Sequence, residues 1–381
     1  MWLVPLSRVL IANGYGQLPA FAYATSAIAA FISPLIFGAM ADRHVSPVRV
    51  LRWLALAAAA STAVVSWSIS HHYPAVIVLA LIQVYALCSA PTGSIASTII
   101  FSSLHDSQRQ FGPLRALGTF GWMCGCWLLS LLALDHSSSA GYAAMLAWIG
   151  LAAATISLPQ TAPPPGGRIG LRERMGWDSL RLLKNRDHRV VFLTGALFSI
   201  PMAAFYPITP LQLQALGFER TSAWMTLGQV TEIIAMICLA GLLARYRLKW
   251  IFAAGLAAGI VRFAMCAANQ KYWVLAGVTL HGLSLTLFFI TAQIYLNERI
   301  EKEWRARAQA LMSLMNSGIG NLVGYLSTGY WFAFCAKGAG GRWPLFWIGI
   351  TLAVSAVLLF FLMAYRGIGL GLRAKTEKQI V

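Results

Sequence analysis

The chain has 381 residues, 58% of them hydrophobic and 11% charged, less than half the charge of soluble domains, which is about 25%. This excludes an ordinary water-soluble enzyme, which would lack charge to coat its surface, and it excludes a disordered chain. The net charge of +17 is spread over short loops rather than gathered on one face, so lipid, not a nucleic-acid polymer, is the expected partner.

A helix crossing the hydrocarbon layer needs about 20 mainly apolar residues. The opening run, 2–12, is shorter and stops at the turn signal Asn13-Gly14. It reads as the outer half of a first transmembrane helix whose beginning is truncated. Eleven longer spans follow, near 18–40, 47–69, 74–102, 113–134, 140–159, 190–213, 222–244, 249–268, 272–294, 306–333 and 342–365. The expected fold is therefore an all-α polytopic membrane protein with twelve transmembrane helices. A hydrophilic stretch at 160–189, opening with Pro163-Pro-Pro-Gly-Gly167, divides it. Residues 1–159 form an N-terminal six-helix half and 190–365 a C-terminal one, with a basic linker between them and a basic tail at 366–381.

Orientation follows from the cations. Alternate loops and the tail hold 22 of the 29 Lys and Arg, the opposite loops only Arg220, Lys271, Lys337 and Arg342. The rich side is cytoplasmic by the positive-inside rule. Loops 2–3, 4–5, 6–7, 8–9 and 10–11 and the C-terminus then face the cytoplasm, in an inner (plasma) membrane.

The halves echo each other. Helix two ends Gly38-Ala-Met-Ala-Asp42-Arg43, and helix eight ends Gly241-Leu-Leu-Ala-Arg245-Tyr-Arg247. Paired six-helix halves are a transporter architecture. The segment Gly38 to Arg49 resembles the helix two–three loop motif of the major facilitator superfamily. That resemblance implies the major facilitator fold, with Asp42 and Arg43 acting as gating charges.

Catalytic patterns are absent: there is no HExxH, no GxSxG on a strand–turn–helix and no phosphate loop. The run Gly318-Ile-Gly320-Asn-Leu-Val-Gly324 lies in an apolar helix with no strand before it, so it reads as helix packing, as do Gly121/Gly125 and Gly255/Gly259. The six cysteines form no CxxC. No enzyme activity, cofactor, metal site or disulfide is expected, and gradient-driven transport remains.

Polar side chains at membrane depth are costly, and usually functional. Glu232 lies midway along helix eight, with Gln229 one turn earlier on the same face. It suits a proton carrier, an acceptor for substrate, or a structural partner of Arg8 or Arg262. Arg115, Thr119 and Trp122 share a face of helix five, with Arg115 near its start, a cation, hydroxyl and indole suited to a polar ring-bearing ligand. Arg115 also fits an interfacial anchor. In helix ten, His281 fits a proton relay or a packing residue. Arg262, in the outer half of helix nine, is expected to snorkel toward the headgroups. Asn316 and Asn321 read as helix–helix contacts.

Five stretches are more specific. They are Phe111-Gly-Pro-Leu-Arg115-Ala-Leu-Gly118-Thr119-Phe-Gly121-Trp122, Gly228-Gln229-Val-Thr-Glu232, Ile260-Val-Arg262-Phe263, His281-Gly282 through Phe288-Phe289, and Arg305-Ala-Arg-Ala-Gln309-Ala310. In this order they resemble the nucleoside:proton symporter family of the major facilitator superfamily, over nearly the whole chain. The resemblance implies that Arg115, Thr119, Gln229 and Glu232 line a nucleoside site, with Trp122 at an aromatic position. It also shows departures. His281 stands where the family has Tyr, Leu285 replaces an aromatic, and Thr286 replaces the Asp that the family links to proton coupling. The helix-seven amides are replaced by Ile200-Pro-Met-Ala-Ala-Phe205-Tyr-Pro207.

The expected function is secondary active transport by alternating access, moving a small polar, nucleoside-like solute with protons, in a monomer. Substrate would be held by Arg115, Thr119, Trp122, Gln229, Glu232 and His281, with Glu232 and His281 as candidates for proton coupling. The alternatives are a sugar, oligosaccharide or aromatic-acid cargo on the same fold, and a non-transporting receptor.

Overall fold

The structure is a computed structural model, and it describes residues 2–41, 46–103, 107–159, 177–337 and 342–367. Every regular element among them is helical. The first, α1 (Leu6–Ala12), is buried from Leu6 to Leu10 in a core that includes Trp2, Tyr23, Val65 and Leu129. It ends at the expected turn, where Gly14 takes a φ of +87°, a left-handed conformation open to glycine at little cost. Next come α2 (Pro19–Ala41), α3 (Pro47–Ser70), α4 (Ala75–Ser89), α5 (Thr92–Ser103), α6 (Ser107–Leu131) and α7 (Ala140–Ala154).

A 3-10 helix at Trp177–Lys184 leads into α8 (Arg186–Met202), α9 (Phe205–Ala215), α10 (Thr221–Met225), α11 (Leu227–Arg245) and α12 (Leu248–Ala267). Helix ten is built from α13 (Lys271–Thr279), α14 (His281–Ser284), a π-helical turn (Leu285–Ile290) and α15 (Thr291–Arg299). Helix eleven has α16 (Lys302–Ser313), a second π-helical turn (Leu314–Gly320) and α17 (Asn321–Cys335), and α18 (Trp343–Ala364) closes the series. Seven helical stretches of the described residues are long and apolar enough to cross a membrane. They are Pro47–Ser70, Ala75–Ser97, Arg186–Ala215, Thr221–Arg245, Leu248–Ala267, Lys271–Arg299 and Trp343–Ala364. Pro19–Ile32, Leu117–Leu131 and Ala140–Ala154 are shorter apolar helices. Only helices meet the requirement of open lipid that each backbone group be satisfied within its own segment.

Two boundaries differ from the sequence reading for physical reasons. Helix five starts at Ser107, not near 113, because Ser-Gln-Arg-Gln is too polar to register as a span although its backbone is helical. Arg115 therefore sits two turns inside the helix. Helix seven breaks after Met202. Pro207 has no N–H to offer the Ala203 carbonyl, and its ring crowds that group.

The chain forms two compact units, one of Met1–Asp178, Ala203–Thr226 and Ser317–Tyr330, the other of Ser179–Met202, Leu227–Asn316 and Trp331–Val381. The core of the second is aromatic. The Phe252 ring lies 5.3 Å from Phe288, 5.6 Å from Phe361 and 6.2 Å from Tyr295, centroid to centroid. Lipid gives little hydrophobic drive for helices to associate, so close approach does the holding. At Gly255 an added Cβ would come within 2.8 Å of Phe288 N, which presses α12 onto the π-turn of helix ten. A Cβ at Gly121 meets open space among the described residues.

Candidate functional site

Gln229 and Glu232 are buried, at 5% and 7% exposure, on one face of α11 in the second unit. Two glycines put them there. A Cβ at Gly282 would overlap Glu232 N and Gly228 O, and one at Gly228 would lie 3.0 Å from His281 Cβ and 3.1 Å from Val278 O. The backbones of α11 and α14 thus touch beside Glu232. The Thr231 hydroxyl reinforces the contact by donating to the Thr279 carbonyl. Gln229 Oε1, Ser284 Oγ and Thr286 Oγ1 are buried without a hydrogen-bond partner among the described residues. Such atoms cost free energy unless a ligand or water satisfies them. Replacing Gly282 with Ala drives a methyl into backbone atoms that no side-chain rotation relieves. Gly282→Ala is expected to lose most folded protein, read as the monodisperse fraction on size-exclusion chromatography in detergent, whereas Gly121→Ala leaves it unchanged.

Arg262 does not snorkel. Its residual exposure is 1%, and its guanidinium donates to His281 Nδ1, lies 3.7 Å from Met202 Sδ and sits 4.3 Å above the Phe263 ring. With Nδ1 as acceptor, the neutral imidazole carries its proton on Nε2. Arg262 thereby sets both the tautomer and the orientation of His281, which hydropathy along helix nine does not show. Helix ten continues with buried Ser284, Thr286 and Thr291, and the Thr291 hydroxyl donates to the Thr286 carbonyl at 3.1 Å across the π-turn. Single π-turns recur at functional sites because they re-aim side chains within a helix. No sequence signal marked this one. On helix eleven, Asn316 packs against the bare face of Gly195, its Oδ1 2.6 Å from where a Cβ would be.

In the first unit, Thr119 is buried, and the Trp122 ring meets Tyr206 edge-on at 6.3 Å. Arg115, four residues before Thr119 on the same helical face, has its side chain outside the described residues, and Asp42 and Arg43 lie wholly outside them. Arg8, read from the sequence as one possible partner of Glu232, directs its donors within its own unit. Nε reaches Gln214 Oε1 at 3.0 Å, and Nη1 reaches the Glu219 carbonyl at 2.7 Å and Thr221 Oγ1 at 2.9 Å. Asp135, 2% exposed, accepts from Ser222 N at 2.7 Å and Thr221 Oγ1 at 3.4 Å. Trp127 Nε1 donates to Thr226 Oγ1 at 2.9 Å. These bonds buckle α1, the end of α6 and the turn after it to α9, α10 and the turn between them. The sequence reading passed over Asp135, whose only signal was an acid in a short, otherwise polar turn. Arg8→Ala removes three hydrogen bonds, one of them to the buried Thr221 hydroxyl, and takes the cation from beside buried Asp135. It is expected to cost about 2–4 kcal/mol, measured as a lowered thermal midpoint of the purified protein.

The family model described as nucleoside H+ symporter matches residues 1–367. The YegT protein of Escherichia coli (strain K12) is 29% identical over 96% of this chain and 90% of its own length. The xanthosine permease of the same strain is 25% identical over 96% of this chain and 92% of its own length. A crystal structure of the nucleoside transporter NupG, in a point-mutant form, superposes with a TM-score of 0.87 at 19% identity, covering 96% of this chain and 95% of that one.

Proposed function

The chain belongs to the nucleoside H+ symporter family, with the major facilitator fold of a multi-pass membrane transporter, and from that premise we propose that it takes up nucleosides together with protons. Residues 1–159 and 190–365 act as two six-helix halves joined by 160–189, with 366–381 as a tail. The basic loops and the C-terminus face the cytoplasm across the inner membrane. Arg115, Thr119, Trp122, Gln229, Glu232 and His281 contact the substrate, Glu232 and His281 are the groups that exchange the proton, and Asp42 and Arg43 gate the cytoplasmic end. The protein works as a monomer.

The observation that carries this reading is Glu232 and Gln229, buried side by side at the middle of a membrane span and backed by His281. A carboxyl acceptor and an amide match the hydroxyls of a ribose and the polar edge of a base. Indole surface at Trp122 suits stacking on a flat ring. Xanthosine permease among the relatives supports the substrate class. The test is uptake of labelled uridine, adenosine and xanthosine by proteoliposomes under an inward proton gradient. Accumulation that collapses with a protonophore is expected. Background uptake of all three, with transport of a sugar or aromatic acid instead, overturns the substrate assignment.

A further inference from the structure

A second cluster of charged side chains lies apart from these polar residues, wholly within the second unit. A cavity of about 420 Å³ is lined by Arg181, Lys184, His188, Arg299, Glu301 and Trp304. Arg181 stacks on the Trp304 indole with its guanidinium carbon 3.0 Å from the ring centroid, and Arg307 approaches the same ring at 4.6 Å. Stacking of this kind takes a flexible cation and holds it in one orientation. His188 is likewise held, by a 2.8 Å hydrogen bond between its Nδ1 and the Tyr295 hydroxyl. Among the described residues, Arg181, Lys184 and Arg299 therefore face one cavity against one lining carboxylate, Glu301. The nearby Asp187 accepts from Arg366 N at 3.1 Å. Like charges gathered this way repel one another unless an anion joins them.

The height of the cavity says which anion. The helical stretches that hold two membrane spans begin at Arg186 and end at Arg299, and both exceed the about 20 residues a span needs and have charged terminal turns there, so the cavity lies at headgroup level outside the hydrocarbon. Leu180, on the same 3-10 turn as Arg181, is 47% exposed. An exposed apolar side chain next to cations is the pattern of a segment resting in the lipid interface. We propose that this cavity binds the phosphate of an anionic phospholipid in the leaflet on the basic-loop side. Arg181 and Arg299 clamp the phosphate, Lys184 adds charge, and the acyl chains run down beside α8. The site serves to fix the 3-10 segment against helix ten and does not depend on the identity of the transported solute.

The test is native mass spectrometry of the full chain, released from detergent with phosphatidylglycerol and phosphatidylethanolamine added in equal amounts. The wild-type protein is expected to retain phosphatidylglycerol preferentially, and the double variant Arg181→Ala/Arg299→Ala to lose about tenfold of that preference. Arg245→Ala/Arg247→Ala removes the same charge from exposed positions elsewhere and is expected to keep the preference. Trp304→Leu keeps every charge but frees Arg181, and it is expected to lower the preference severalfold, which tests the same cavity should the double variant not fold. An equal loss in the Arg245/Arg247 control, or an undiminished preference in a folded Arg181/Arg299 or Trp304 variant, overturns the proposal. Displacement of the lipid by inorganic phosphate at equal concentration assigns the cavity to a free phosphate and overturns the lipid assignment.

Discussion

Glu232→Gln is expected to lower the rate of proton-driven nucleoside uptake by about tenfold to a hundredfold and to remove its dependence on external pH. The magnitude is that of a hydrogen bond to a charged group, about 1.5–3 kcal/mol, lost from a site shielded from bulk water. The amide matches the carboxyl in size, so the contact of α11 with Gly282 survives and the variant folds. What changes is chemistry. A carboxyl that takes and releases one proton alters the charge of a buried site, and an amide does neither. Initial rates of labelled-uridine uptake into proteoliposomes, at a series of external pH values, check this. If the pH dependence survives in Glu232→Gln, the proton is exchanged elsewhere, and His281 is next to be substituted.

Arg262→Ala has the second largest expected effect, and it separates packing from orientation. The side chain is among the largest of those fully buried, and its removal leaves a cavity beside Phe263 and takes the donor from His281 Nδ1. The combined cost is about 2–4 kcal/mol of stability, read as a thermal midpoint in detergent. Arg262→Met retains most of the volume and is expected to restore stability to within about 1.5 kcal/mol. Uptake is expected to stay at least tenfold low in both, because neither side chain holds the His281 ring in its tautomer and orientation. Recovery of transport in Arg262→Met would make Arg262 a packing residue alone.

The buckle around Arg8 and Asp135 joins residues far apart in the chain. Arg8 offered a cation in an apolar run, and Glu232 and Asp135 both offered acids. Only the folded chain brings Gln214, Glu219 and Thr221, more than 200 positions away, to the guanidinium. Similarly, Gly228 and Gly282 look like any small residues in spans until their backbones meet.

The amino-acid sequence by itself determined the solvent, the helical class and the approximate spans, because lipid demands long apolar segments whose backbones satisfy themselves. It also carried the family, through five short stretches in order, and it placed Gln229 and Glu232 on one face because three residues make nearly one helical turn. Tertiary structure alone decided which side chains inside the membrane face protein, which cation holds His281, where proline breaks helix seven and where helices ten and eleven widen into π-turns. The physical reason is that hydropathy is a sum along one segment. Partner choice depends on helix faces brought together in space, where a single hydrogen bond or one missing methyl group selects the contact.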